Sequence, residues 1–136
     1  MGRHFGARHR QRPPNPLISL KELDALHDAL AQEPVGAILA VPVRDTLKRC
    51  DTQGIITDTV SRTQLWAAQT PQVFRYAILM KALSDETIAF TDEASAVEKL
   101  GLPVRVVEGS STNFKITFPE DVRLASLLLN KESSCE

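Results

Sequence analysis

"GAILAV", residues 36–41, is a short continuous apolar run. Such a run fits a strand buried on both faces, as in a parallel sheet under helices. Pro42 ends it. Upstream, Ser19 and Glu22 form S-x-x-E, the signature of a capping box. Leu20, Leu23, Leu26 and Leu30 follow at a mostly helical spacing, which predicts a helix over 20–31 that Pro34 stops.

Downstream, residues 44–62, "RDTLKRCDTQGIITDTVSR", hold a turn signal at Asp51–Gly54 between strand-like arms. The arms are Thr-rich and charged. A hairpin of that composition buries too little to stand alone and must lie along something, a second copy of the chain being a candidate. Thr70 and Pro71 read as the N-cap and first residue of a second helix over 71–83, with Val73, Phe74, Ala77, Ile78 and Met80 inward. Thr91 reads as the cap of a third helix, with Gly101 past its end. "PVRVVE", 103–108, and "FKIT", 114–117, alternate as strands around the polar loop 108–113. A last helix is predicted over 119–129, packing through Val122, Ala125, Leu128 and Leu129. The alternation makes an α/β fold. No strand precedes "GAILAV", so that run is expected to be an unpaired apolar edge.

The chain has 136 residues, 43% hydrophobic and 24% charged, the composition of one soluble domain. No apolar run approaches the roughly 20 residues of a membrane span, and no signal peptide is legible. Cys50 and Cys135 are far apart, without His clusters. They read as free thiols of a reducing cytoplasm rather than as metal ligands. The net charge of −1 hides a basic leader, 1–16, with four Arg, two His and no acid. Without aromatic interleaving or an apolar helical period, it is expected to be disordered and not a nucleic-acid binder.

Three features could carry chemistry. Arg62 stands near Thr59, Ser61 and Thr70 in sequence. A guanidinium fork with hydroxyl donors suits a phosphate monoester, though the residues alone favour a solvated charge closing a hairpin. Lys115, between Phe114 and Ile116 after a Gly-Ser loop, could stabilise charge on a phosphoryl group or be a surface lysine. The acids of "TDEASA", 91–96, are explained by helix-start capping and need no metal. Trp66 reads as packing between the arm and the second helix, and His27 as structural.

"VPVRDTLKR", "VSRTQLWAAQTPQVF", "TDEASAVEKLG", "VRVVEGSSTNFKIT" and "PEDVRLASLLL" occur in this order. Together they closely resemble the C-terminal part of the 2-C-methyl-D-erythritol 4-phosphate cytidylyltransferase family, over about residues 17–130. The resemblance implies the C-terminal portion of a Rossmann-like nucleotidyltransferase fold with a protruding β-arm, here 43–62, that hooks around a partner in a homodimer. It implies transfer of CMP from CTP to 2-C-methyl-D-erythritol 4-phosphate, with Mg²⁺ and release of pyrophosphate, in non-mevalonate isoprenoid synthesis. It also implies that Arg62 and Lys115 position the substrate phosphate, that Thr46 on the arm lies near the substrate, and that Thr70 belongs to the site through its Thr-Pro-Gln motif.

The family's Gly-rich loop, which cradles the CTP triphosphate, has no counterpart here. Where the family has His-Asp-Ala-Ala-Arg-Pro, with its metal-serving Asp, this sequence reads "RHRQRPP". The change near Pro16 implies a truncated or frame-shifted gene. Residues 17–130 then form a partial nucleotidyltransferase domain, with 131–136 as a tail. Two expectations compete: a cytidylyltransferase, or a catalytically inactive remnant that serves at most as a dimerisation module.

Overall fold

The computed structural model describes residues 17–84 and 91–133, with side chains to residue 130. The leader 1–16, residues 85–90 and Cys135 lie outside the described residues. In chain order the elements are α1 (Leu20–Gln32), β1 (Gly36–Pro42), β2 (Leu47–Cys50), β3 (Ile56–Val60), β4 (Trp66–Phe74), α2 (Tyr76–Leu83), α3 (Glu93–Glu98), β5 (Arg105–Glu108) and α4 (Pro119–Ser133). No described helix is long and apolar enough to cross a membrane.

The capping box at the start of α1 forms: Ser19 Oγ accepts from the Glu22 amide at 3.2 Å, and Glu22 Oε2 accepts from the Ser19 amide at 2.8 Å. At its other end Arg75 Nη2 donates to the carbonyls of Leu30 and Glu33 at 2.8 and 3.0 Å, satisfying acceptors that a helix end leaves open. Arg105 Nε meets Glu33 Oε1 at 2.6 Å and ties α1 to β5.

β1 is the centre of a three-stranded sheet ordered β4-β1-β5, antiparallel to β4 and parallel to β5. The expected edge is therefore covered on both sides. Period-two alternation sends neighbouring residues to opposite faces. Ala37, Leu39, Val73 and Val107 pack against Leu26, Ala29 and Leu30 of α1. Val35, Phe74 and Val104 pack with Ile78, Leu79 and Ala82 of α2 and Ala96 and Val97 of α3. The result is helix on sheet on helix, with Leu39 and Val97 fully buried. β2 and β3 form a separate hairpin, register Leu47↔Val60 to Cys50↔Ile56. Its turn has Gly54 at φ +83° and Asp51 Oδ1 accepting from the amides of Gln53 and Ile55, as the turn signal predicts.

Several expectations fail for physical reasons. Thr70–Pro71 does not open a helix. Both residues lie in β4, joined by a cis peptide, and α2 begins only at Tyr76. β4 is an edge strand, where a proline without an N–H costs no ladder bond, so pairing with β1 overrides the local cap signal. Val73 and Phe74 are inward from β4, whereas Ala77 and Met80 are exposed on α2. Asp92, not Thr91, caps α3. Residues 114–117 form no strand. Asp121 Oδ2 accepts from the amides of Thr117 and Phe118 at 2.9 and 2.8 Å, in place of the expected Thr117–Glu120 box. α4 runs to Ser133, four residues past its expected end and into the expected tail, and buries Ala125 while Val122 stays 54% exposed. Leu20 faces solvent, and Glu22 is buried in its stead. Trp66 is half-exposed at the start of β4, and His27 is exposed beside Asp28.

Candidate functional site

The ladder between β1 and β4 breaks at one place. Ile38 pairs with Gln72 and Ala40 with Ala68, so Leu39 alone opposes Gln69, Thr70 and Pro71. Such bulges bend a strand and re-aim its side chains. Here the bulge forms the wall of a cleft of about 440 Å³, lined among others by Val41, Ala68, Thr70, Asp92, Asn113 and Lys115.

Gln72 joins the bulge to α3. Its Nε2 donates to Asp92 Oδ2 at 2.9 Å, and its Oε1 accepts from the Ala94 amide at 3.0 Å. Asp92 Oδ1 accepts from the Ser95 amide at 2.8 Å. Partial burial pushes the Asp92 carboxyl up, but the hydrogen bonds from Gln72 and Ser95 outweigh it and hold the group below its ordinary value.

The opposite wall is the segment 109–115, held largely by side chains. Gly109 donates its amide to the Ala40 carbonyl at 2.9 Å, as if to continue β5. Gln69 Nε2 then donates to the carbonyls of both Ser110 and Asn113, at 2.8 and 3.0 Å. Asn113, 1% exposed, donates from Nδ2 to the Thr70 carbonyl at 2.9 Å. Gln69 Oε1 is buried with no hydrogen-bond partner among the described residues. An orphaned acceptor costs about 1–3 kcal/mol, and the amide's two donated bonds offset it.

Thr70 and Lys115, both exposed, therefore reach one cleft. Thr46 and Arg62 do not line it. Thr46 precedes β2 and Arg62 follows β3, both exposed at the root of the hairpin, and the Arg62 guanidinium donates to the carbonyl of Arg44. Sequence reading missed Gln69, Gln72 and Asn113 as site residues. Uncharged amides announce nothing at a distance, and the only local signal was the placement of Gln69 and Gln72 around Thr-Pro. Among the described residues no group of three or more His, Cys, Asp or Glu could hold a metal ion.

The chain matches the family described as 2-C-methyl-D-erythritol 4-phosphate cytidylyltransferase over residues 9–131, a match that begins inside the basic leader. It is 51% identical over 114 residues to the protein of that description from Dechloromonas aromatica, covering 84% of this chain and 50% of the relative. It is 47% identical over 118 residues to the one from Nitrosomonas eutropha, covering 87% and 51%. The crystal structure of the Thermus thermophilus protein superposes with a TM-score of 0.77 at 32% identity, over 86% of this chain and 58% of that one. The chain thus spans about half the length of the curated relatives it matches.

Proposed function

The chain belongs to the 2-C-methyl-D-erythritol 4-phosphate cytidylyltransferase family, and from that premise we propose that its cleft is the acceptor side of a cytoplasmic cytidylyl transfer. In the proposed reaction a phosphate oxygen of 2-C-methyl-D-erythritol 4-phosphate attacks the α-phosphorus of CTP. The bond from that phosphorus to the bridging oxygen breaks, and pyrophosphate leaves. The observation that carries this reading is the convergence of Thr70 and Lys115 on one cleft with small apolar walls.

Attack requires two anions to approach in line, and their repulsion has to be offset by fixed positive charge. Lys115 supplies a point charge and Thr70 a neutral hydroxyl donor for the acceptor phosphate. Arg62 and Thr46 sit outside the cleft of their own chain. They join the site when the arm hooks around a second copy, so the working unit is a homodimer.

Magnesium has no built site among the described residues. Asp92 is the one carboxylate among the cleft's lining residues, and both its oxygens already accept hydrogen bonds. The roles assigned to Thr46, Arg62, Thr70 and Lys115 use this chain's side chains alone.

The test is pyrophosphate release from CTP and 2-C-methyl-D-erythritol 4-phosphate with Mg²⁺. The 136-residue chain is compared with a version carrying the N-terminal half of the Dechloromonas aromatica relative ahead of Leu17. No Gly-rich phosphate loop occurs in the 136 residues, so release is expected only from the extended protein. In that protein Arg62→Ala and Lys115→Ala should each lower turnover by on the order of 10²–10³. Full activity in both variants would return the two residues to ordinary surface charges. An extended protein that dimerises but releases nothing would favour the inactive dimerisation module.

A further inference from the structure

Lys115 has no strand to fix it. The segment that carries it leaves the sheet after Glu108, and residues 113–117 are irregular. Ladder bonds end with the Gly109 amide on Ala40. From there to Asn113 the segment is held by two side chains distant in sequence, beside the tie that Asn113 itself makes to the Thr70 carbonyl.

The first is Glu22, 6% exposed on α1. Its Oε2 completes the capping box, and its Oε1 accepts from the Ser110 amide at 2.6 Å. One carboxylate thus caps a helix and grips a loop 88 residues away. The second is Gln69 in the bulge, whose amide donates to both ends of the 110–113 turn. The two side chains meet over Gly109. A Cβ there would lie 2.3 Å from Gln69 Oε1 and 3.2 Å from Glu22 Oε1, so a side chain at 109 has to push the Gln69 amide aside.

We propose that Glu22 and Gln69 are positioning residues for Lys115, holding the 109–115 segment so that the ammonium enters the cleft at a fixed place. The proposal rests on reading the cleft as a phosphate-acceptor site. Neither residue touches the acceptor. A charge on a long flexible stem is useful against a phosphate only if its backbone is anchored, since a misplaced group loses the geometry of attack.

The test uses the full 136-residue chain. Glu22→Asp keeps an acid in the first turn of α1 but is one methylene too short for Ser110. Gln69→Leu keeps the side chain's bulk and removes its donors. Gly109→Ala acts from the other side, because its Cβ forces the Gln69 amide away. Three quantities are read for each: amide exchange at Ser110 and Asn113, the side-chain Cε resonance of Lys115 (identified by its loss in Lys115→Arg), and binding of 2-C-methyl-D-erythritol 4-phosphate.

Each variant should speed exchange at 110 and 113 by on the order of tenfold or more, with the amides of α1 beyond its first turn as protected as in the wild type, since Glu22→Asp also shortens the α1 cap. The Lys115 resonance should move toward that of free lysine, and the other lysines should stay. Binding should weaken roughly tenfold, the worth of one charge-assisted hydrogen bond. An unchanged Lys115 resonance in the folded variants overturns the proposal, as does loosening of α1 and α3 together with the loop in all three. Lys115→Ala separates the two readings. If it leaves binding unaltered, the acceptor-site reading fails, while the exchange and resonance results still decide the positioning of Lys115.

Discussion

The side-chain amide of Asn113 donates to the backbone carbonyl of Thr70 at 2.9 Å and so ties together the two walls of the cleft. Asn113→Asp replaces that donor with an acceptor of the same shape, facing a carbonyl in a site 1% exposed. At neutral pH the new carboxylate is ionised as well as buried, so the change should lower stability by about 3–5 kcal/mol, the cost of an uncompensated buried charge. Urea unfolding at neutral pH checks it; an unaltered midpoint would show that the tie contributes nothing.

At Gly36 the backbone of β4 lies against β1 with no room for a side chain. A Cβ there would stand 2.5 Å from the Val73 carbonyl oxygen and 2.9 Å from Phe74 Cα. Backbone cannot swing aside as a side-chain end can. Gly36→Ala should destabilise by about 1–3 kcal/mol or more, as overpacking does, and thermal melting gives the measurement. A melting temperature equal to that of the wild type would mean the strands separate there without loss.

Asp92 predicts an acid-side loss of stability. Its folded carboxyl lies below the ordinary value of 3.8, so the folded state binds a proton less readily than the unfolded one. The associated stability is fully present above pH 3.8 and is lost as pH falls through the lower folded value. Asp92→Asn keeps an N-cap of comparable quality but has no charge to titrate. The difference in stability between wild type and variant should be flat at neutral pH and shrink below pH 3.8. A difference constant down to the acid transition would remove Asp92 as a contributor.

The arm predicts the state of assembly. β2 and β3 pair only with each other, and Leu47, Ile55 and Ile56 on the hairpin are exposed. An isolated two-stranded hairpin is marginal in water. The intact chain should sediment as a dimer at micromolar concentration, and a chain with 47–59 replaced by a short linker should sediment as a monomer. A well-folded monomer from the intact chain would leave the arm without its proposed partner.

Signals confined to a few neighbouring residues were legible. Ser19 and Glu22 announce α1, Asp51–Gly54 the hairpin turn, and the apolar run 36–41 the central strand. The errors fall where one local signal serves two structures. Thr-Pro suits a helix start and equally a bulge in an edge strand, and only the pairing of Ala68 and Gln72 with β1 decides between them. "FKIT" alternates like a strand, yet its neighbours are fixed by side chains. In the cleft, Thr70 and Lys115 could be named in advance because hydroxyls and charges carry obvious chemistry. Gln69 could not, because its partners lie 41 and 44 residues further along.

The middle strand of the sheet is made before either of its neighbours. As the chain leaves the ribosome, β1 at 36–42 has no partner until residues 66–74 have emerged, and the sheet closes only after 105–108. The hairpin at 47–60, by contrast, is local and can form at once. An apolar strand left without both neighbours until residues 105–108 emerge is open to pairing with other nascent chains. The nascent chain must therefore keep β1 from its neighbours on the same message, and fast translation or crowded polysomes should raise its aggregation before any change in the stability of the finished fold.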